Sequence, residues 1–361
     1  MQSSVGHWRV FAFVLALAIC VNLTIRFLQT DQNRLQPDRE KHLEQFPTPS
    51  EFYTQSLDCG GISIRAHRVV AYAALQIACG EVHVMLRHIP DVRANLIAAG
   101  VEVHIVGRKQ MLTDLPEFIG LKGKRDGDRE FDKERGISGV TVVCPEENLL
   151  RLPEDPYFSL HSEACVHEFA HAIQLEGIPK YLQDLVERRF KWALQNHLWE
   201  DTYASTNELE FFAETSTWYF VGAAGSFPAK GWNGILPMYD LNGLMVYDPP
   251  TFTLLHDIYE GRLEIGKFAY SQAKRIAPQP VGRSANRAPD GLLVFSNQTA
   301  SSLKLYLISP DGEPRLWGNI IPYERRAVQS SIGYRWLLSN DRDKPLDIFV
   351  PQTQYSYASI E

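Results

Sequence analysis

His167-Glu168-Phe169-Ala170-His171 is the stretch of this 361-residue chain on which its interpretation depends. On a helix, residues i and i+4 lie on the same face, so both imidazoles can reach one metal ion. Glu168 lies beside such an ion, where it can contact a bound water rather than the metal. With 11 histidines in the chain, about 0.02 such patterns are expected by chance. We therefore predict a metal site, rather than two ordinary helix histidines, on a helix over residues 162–176.

Two histidines leave one protein position of a catalytic zinc site to be filled by a third residue. A helix is predicted over residues 207–221, because Asn207 is a favoured cap residue and acidic residues follow it. Glu210 and Glu214 lie one turn apart on one face of this helix, while Glu208 lies elsewhere. Spacing alone does not choose between Glu210 and Glu214 as the ligand. A solvated acidic face is the alternative, but the two phenylalanines between the acids favour a packed helix.

The motif and the second helix together resemble a known family. They are similar to the catalytic domain of anthrax lethal factor and to bacterial Pro-Pro endopeptidases, most closely over residues 163–219 and only loosely in layout over 57–150. The resemblance is carried by residues 167–171 and by the run Tyr203-Ala204-Ser205-Thr206-Asn207-Glu208-Leu209-Glu210-Phe211-Phe212-Ala213-Glu214. It implies an α+β, zincin-like metallopeptidase domain, which we place at residues 57–280.

The resemblance also implies a role for each polar residue of the site. The zinc ligands would be His167, His171 and Glu210. Glu168 would be the general base that activates a zinc-bound water, and Tyr203, seven residues before Glu210, would assist the transition state. Glu214 would hold a ligand histidine without touching the metal. The implied activity is the zinc-dependent hydrolysis of peptide bonds in a peptide or protein substrate.

Two other functions stay open. The chain could be a non-catalytic peptide-binding protein on a zincin scaffold, or a zinc hydrolase of a non-peptide amide. The net charge of −7 gives no basic excess, so we expect no nucleic-acid partner. A substrate peptide needs a strand edge, for which residues 139–143 are the candidate. The charged residues 126–135 are predicted to form a solvated loop, and residues 146–148 to begin a helix outside the site.

The first 29 residues predict export from the cytoplasm. Residues 10–21 are an unbroken apolar run, which suits a signal peptide, and further apolar residues extend it to a length that could cross a bilayer. We predict an uncleaved membrane anchor rather than a cleaved signal over 1–29, followed by a linker over 30–56. The protein would then be extracytoplasmic, either anchored in the membrane through this N-terminal hydrophobic helix or secreted.

Four cysteines of the remaining chain agree with export. An even number suits two disulfide bridges, although four cysteines permit three pairings, and four buried free thiols are the alternative. The four residues are Cys59, Cys79, Cys144 and Cys165.

The sequence changes character after the proline-rich residues 278–290. Apolar residues then alternate in five short stretches, at 292–295, 303–308, 327–330, 334–338 and 346–350. This pattern predicts a small all-β sandwich, which we place at residues 291–355.

This C-terminal module resembles the β-domain of the von Hippel–Lindau protein, which binds a hydroxyproline-containing peptide. The similarity rests on many short matches, among them Tyr306-Leu307-Ile308 followed by Asp311-Gly312-Glu313-Pro314. The positions that match the peptide-binding residues are Trp317, Ser330, Tyr334 and Trp336. The first and third differ from the family, so the resemblance implies an aromatic groove for a proline-rich peptide rather than hydroxyproline recognition. A packing or spacer domain is the alternative.

Overall fold

The computed structural model describes residues 47–127, 129–155, 163–221 and 241–361. The predicted anchor at 1–29 and most of the predicted linker at 30–56 therefore lie outside the described residues. Within the described ranges, no helix is both long and apolar enough to cross a lipid bilayer.

A four-stranded sheet forms the centre of the N-terminal half. Its order is β1-β2-β3-β6, in which β1 pairs antiparallel to β2, while β2, β3 and β6 run parallel. The second and last strands are buried along most of their length, as is usual when helices cover a sheet. The strands are β1 Gln55–Cys59, β2 Ile62–Ala66, β3 Glu102–Val106 and β6 Thr141–Pro145, and a separate hairpin contains β4 Arg125–Asp126 and β5 Arg129–Glu130.

Helices surround this sheet, and the motif helix and the helix predicted over 207–221 are both present. The motif helix, Ala164–Ala172, continues as a π-helical turn over Ile173–Gly177, and a further helix, Lys180–Gln195, follows it. The helices are α1 Pro49–Phe52, α2 Tyr72–Met85, α3 Pro90–Ala99, α4 Glu146–Leu149, α5 Ala164–Ala172, α6 Lys180–Gln195, α7 Glu208–Val221, α8 Leu241–Tyr247 and α9 Pro249–Tyr259.

Aromatic residues pack α5 against α7. Phe169, in the middle of the motif, and both Phe211 and Phe212 are 1% exposed and belong to the main core. The ring of Trp199 packs edge-on against Phe211, with the ring centroids 5.9 Å apart. Burial of side chains this large stabilises the pair of helices that carries the motif and the acidic residues. The prediction of a packed rather than a solvated second helix is confirmed.

Two disulfides join the four cysteines, as predicted for an exported chain. The pairs are Cys59–Cys79 and Cys144–Cys165, which leaves no free thiol among these four residues. Disulfides are rare in the cytoplasm, so the pairs favour an extracytoplasmic location. Cys144 lies on β6 and Cys165 on α5, two residues before His167. The second bridge therefore fixes the start of the motif helix to the sheet.

The C-terminal half is an all-β region of two sheets. Their orders are β11-β10-β13-β14-β8 and β12-β9-β15-β7, around a core that includes Phe295, Trp336 and Phe349. Two strands, β7 and β8, come before the proline-rich residues 278–290, so the sheets extend further upstream than the sequence indicated. The strands are β7 Tyr270–Gln272, β8 Lys274–Ile276, β9 Gly291–Asn297, β10 Leu303–Ile308, β11 Pro314–Ile320, β12 Arg325–Ser330, β13 Arg335–Ser339, β14 Pro345–Val350 and β15 Tyr355–Ile360.

A buried polar network connects the two halves. His104 contacts Glu117 through Nδ1 and Glu102 through Nε2, the latter at 3.1 Å. Tyr53 donates a hydrogen bond of 2.5 Å to Glu117. Glu102 Oε1 lies 3.8 Å from Nη1 of Arg325, which belongs to the all-β region. Although burial opposes a charge on His104, the carboxylates of Glu117 and Glu102 raise its pKa to about 9. This histidine therefore has a structural role.

We expect removal of the Cys144–Cys165 bridge, in the Cys144→Ala/Cys165→Ala variant, to lower the free energy of unfolding by about 3 kcal/mol, because the unfolded chain gains the freedom of a loop of about 20 residues. Denaturant titration measures this loss. Hydrogen exchange should also accelerate in Ala164–Ala172, which loses its covalent attachment to the sheet. The Cys59→Ala/Cys79→Ala variant is the control, and equal exchange of this helix in both variants would contradict the anchoring role.

Candidate metal centre

Side-chain caps fix the starts of the two helices that carry the site. The Asn207 side-chain oxygen accepts hydrogen bonds of 2.9 Å from the backbone N–H groups of Leu209 and Glu210. The Asn148 side-chain oxygen accepts one of 2.8 Å from the N–H of Ala164, at the start of the motif helix. Such caps satisfy backbone donors that the helix itself leaves unpaired. The predicted cap at Asn207 is present, whereas residue 162 lies outside the described residues.

Three donor atoms converge between the two helices. His167 Nε2 lies 3.1 Å from Glu210 Oε2 and 3.2 Å from His171 Nε2, and the third distance, from His171 Nε2 to Glu210 Oε2, is 3.4 Å. Donor atoms about 2.05 Å from a tetrahedral zinc ion lie about 3.3 Å apart. The three residues therefore fit a zincin-type metal site in both donor type and spacing, and of the two candidate ligands it is Glu210 that joins the histidines.

Glu214 fixes the orientation of the first histidine. Its Oε1 lies 2.9 Å from His167 Nδ1, and both side chains are largely buried. A carboxylate only accepts hydrogen bonds, so Nδ1 carries a hydrogen and donates it. The lone pair of His167 Nε2 is then free to point to the space between the three donor atoms, as in the carboxylate–histidine–metal arrangement. Glu214 thus contacts the outer nitrogen of His167 and does not belong to the three-residue group.

The charges around these imidazoles favour a cation at the centre. Although burial opposes protonation of His167, hydrogen bonds with Glu210 and Glu214 raise its pKa to about 10. Burial alone would raise the pKa of Glu210, but hydrogen bonds with His167 and His171 hold it well below its usual range. The two carboxylates thus stabilise positive charge at this point, whether a proton or a metal ion supplies it.

Glu168 lies beside the three-residue group without belonging to it. Burial raises the pKa of its carboxyl group, while the positive charges of His167 and His171 counteract part of this shift. A carboxylate with a raised pKa accepts a proton more readily, as a general base must. The role of Glu168 as a general base stays a prediction.

Tyr203 faces the same group from a short helical turn, Tyr203–Ser205, before α7. Its ring stacks on that of His167, with the ring centroids 6.0 Å apart, and its hydroxyl hydrogen-bonds to Glu210. Burial of the hydroxyl and the charge of Glu210 raise the pKa of Tyr203 well above its usual value. The hydroxyl therefore keeps its proton at neutral pH and can donate a hydrogen bond.

The charged segment 126–135 lies near the site, which the sequence did not predict. It contains strand β5, and Arg129 interacts electrostatically with both Glu168 and Tyr203. Glu134 holds the guanidinium through contacts of 2.9 and 3.3 Å. The segment is more ordered than a loop, because Arg129 and Glu130 form a short strand, but the Arg129 side chain is 43% exposed, so the prediction of solvation holds for it. A dense run of mixed charges is typical of solvated loops and gave no signal for this placement.

Residues 146–148 begin the helix α4 Glu146–Leu149 and do not belong to the three-residue group, as predicted. Glu146 accepts hydrogen bonds from the backbone N–H groups of Ala71 and Arg108, and Glu147 pairs with Arg135 through contacts of 2.6 and 2.7 Å. These contacts fix the loops at the end of the sheet.

A second group of metal-binding residue types is present but is not a metal site. Cys59, Cys79 and His83 lie close enough to share an ion. The two sulfur atoms are joined in a disulfide, however, and a disulfide offers no thiolate. Among the described residues, this leaves the group of His167 as the candidate metal centre.

Of the four predicted groove residues of the C-terminal region, Ser330 and Trp336 are buried, whereas Trp317 and Tyr334 are half-buried. Trp336 donates a hydrogen bond of 2.9 Å to Ser330, and each residue is only 1% exposed. Trp317 packs edge-on against Trp336, with the ring centroids 5.9 Å apart, and the Tyr334 hydroxyl donates to the carbonyl of Arg287. Ser330 and Trp336 therefore belong to the core between the sheets, and they present no surface to a peptide.

Comparisons with known proteins give one kind of match. No family model matches the chain, and no curated protein matches it. Among solved structures, the chain is similar to the Pro-Pro endopeptidase from Paenibacillus alvei, with 17% sequence identity and a TM-score of 0.39, over 54% of this chain and 97% of that one. At this level of likeness, only the site's own atoms can support a function for this chain.

We expect the Glu214→Leu substitution to weaken Zn²⁺ binding by about 10- to 100-fold, because leucine approximates the size of glutamate but cannot accept the hydrogen bond that orients His167. Competition with a chelator of known affinity measures the change. Glu208→Leu, on the same helix but outside the site, is the matched control and should bind Zn²⁺ normally. Equal affinities in the two variants would show that Glu214 does not support the ligand.

Proposed function

We propose that this protein is a zinc-dependent endopeptidase. The observation that carries the proposal is the convergence of His167 Nε2, His171 Nε2 and Glu210 Oε2 at distances of 3.1 to 3.4 Å, with Glu168 next to them. Two histidines and one carboxylate are a typical protein ligand set of catalytic zinc, which keeps a further position for water or substrate.

Each remaining residue has a part in the proposed reaction. Bound zinc would act as a Lewis acid and lower the pKa of a water molecule to about 7. Glu168 takes a proton from the attacking water and returns it to the leaving amine. Tyr203 donates its O–H to the oxygen that becomes negative in the transition state. Glu214 holds His167 in the tautomer whose Nε2 faces the ligand group.

The predicted substrate edge at residues 139–143 is partly covered. Strand β6 pairs with β3 on one side, and on the other side the N–H of Val143 donates a hydrogen bond of 2.8 Å to the carbonyl of Ile137. A substrate strand cannot pair at Val143 while Ile137 occupies that position. The substrate sequence is therefore not assigned from this edge.

The two alternative functions make different demands on Glu168 and Tyr203. A binding protein that has lost turnover does not need a general base, so the presence of both residues at the ligand group favours an enzyme. A zinc hydrolase of a non-peptide amide would use the same residues, and it differs from an endopeptidase only in the compounds that it cleaves.

The other parts of the chain fit an exported enzyme with an accessory region. The two disulfides support an extracytoplasmic site of action, and an anchor at 1–29 stays a prediction. The burial of Ser330 and Trp336 favours a packing role for the C-terminal region over the capture of a proline-rich peptide. The likeness of this region to the von Hippel–Lindau β-domain stays a resemblance.

We expect Glu168→Gln to abolish hydrolysis of a peptide library while the bound zinc is retained, because glutamine fills the same space but cannot accept the proton. Mass spectrometry of the digest measures cleavage, and metal analysis measures zinc. If the wild-type protein binds zinc but cleaves no more peptides than Glu168→Gln does, the result would instead support a non-catalytic binding protein. Cleavage of amide compounds alone would support the third function.

We expect Tyr203→Phe to lower kcat by about 10²- to 10³-fold with little change in KM, because the lost hydrogen bond acts on the transition state. Steady-state kinetics on a cleaved peptide measure both constants. Tyr72→Phe, at a tyrosine that is 48% exposed on α2, should behave like the wild type. Unchanged kcat in Tyr203→Phe would reduce this residue to a packing role.

A further inference from the structure

Gly136 lies directly against the proposed general base. A Cβ atom built on Gly136 would lie 2.6 Å from Glu168 Oε1, 3.0 Å from Cγ and 3.1 Å from Cδ. Ordinary contacts of a Cβ begin at 3.4 Å, so the carboxylate oxygen would have to move by roughly 0.8 Å. No side chain larger than hydrogen fits here while Glu168 keeps its position.

The backbone conformation does not explain this glycine. Glycine is usual where φ is positive, but Gly136 is not among the residues with positive φ. An alanine could adopt the same backbone without strain. The lack of a Cβ at position 136 is therefore accounted for by the space that Glu168 occupies.

The segment around Gly136 is fixed on both sides, so it cannot retreat from a larger residue. On one side, Arg135 pairs with Glu147 and donates further hydrogen bonds to the carbonyls of Gln110 and Gly107, at 2.6 and 3.1 Å. The Arg135 side chain is only 15% exposed and that of Glu147 only 5%, so solvent screens this ion pair weakly.

On the other side, two contacts follow Gly136 in the chain. The carbonyl of Ile137 accepts a hydrogen bond from Val143 of strand β6. The hydroxyl of Ser138 donates a hydrogen bond of 2.8 Å to the carbonyl oxygen of Glu168 itself. Residues 135–138 thus hold both the backbone and the side chain of Glu168.

We propose that Gly136 is a positioning residue for Glu168, whose carboxylate rests on the glycine backbone and is thereby held beside the metal ligands. The consequence for catalysis rests on the proposed function, whereas the contact itself does not. A misplacement of about 1 Å at a reacting group can cost about 10²-fold in rate. A displacement of roughly 0.8 Å is therefore expected to matter for turnover while the zinc ligands stay in place.

The test is the Gly136→Ala variant of the full chain, with Gly80→Ala as the matched control. Gly80 lies on α2, and a Cβ there would meet no atom within 4 Å. We expect Gly136→Ala to bind one zinc ion like the wild type and to lower kcat by about 10- to 100-fold, with KM changed far less. A change in KM without a loss of kcat would overturn the proposal, and so would unchanged kinetics.

A second background separates this contact from a general disturbance of the fold. Aspartate is one methylene shorter than glutamate, so Glu168→Asp withdraws the carboxylate from position 136. In that background Gly136→Ala should cost less than about threefold in kcat, since the coupling between the two positions is the quantity that a double-mutant cycle measures. An equal loss in both backgrounds would show that Gly136 acts on something other than Glu168.

A readout that needs no activity keeps the proposal distinct from the proposed function. Crystal structures of the zinc-free wild type and the Gly136→Ala variant should show the Glu168 carboxylate displaced in the variant, with His167, His171 and Glu210 unmoved. An undisplaced carboxylate would overturn the contact. A displaced carboxylate in a protein that hydrolyses nothing would leave the contact established and defeat the endopeptidase instead.

Discussion

The contact between the His167 imidazole and the two carboxylates of α7 is the interaction on which the rest of the site depends. Glu210 meets Nε2 at 3.1 Å and Glu214 meets Nδ1 at 2.9 Å, so one ring is held from both of its nitrogens. Each carboxylate is partly desolvated, and that cost is offset only because a positive charge lies between them. The two helices are therefore joined by polar contacts that need a cation as well as by their buried aromatic faces.

Neighbouring residues fix the relative position of the two helices that form this contact. Phe169 and Phe212 pack the helices together, while Asn148 and Asn207 fix their first turns. Packing sets the distance between the helices, and the caps set where each begins along its axis. Both are needed, because a shift of one residue along a helix rotates a side chain by about 100° and would remove Glu210 from the group.

The sequence predicted this centre because its information is local. A spacing of four residues places two histidines on one face, and a cap at Asn207 with buried phenylalanines fixes the second helix. The placement of Arg129 and Gly136 depends instead on how distant segments fold over the motif, and short polar strands such as Arg125–Asp126 have no periodicity to detect. In the C-terminal region, a match of residue types likewise does not reveal that Ser330 and Trp336 face inward.

The bridge between Cys144 and Cys165 gives the location of the protein a direct bearing on its readiness to act. The first imidazole, His167, lies two positions after Cys165, so the order of that helix is coupled to the oxidation of this cysteine pair. A newly made chain in a reducing compartment carries the same residues without that covalent link. We expect its centre to take final form only after the polypeptide has crossed into oxidising surroundings.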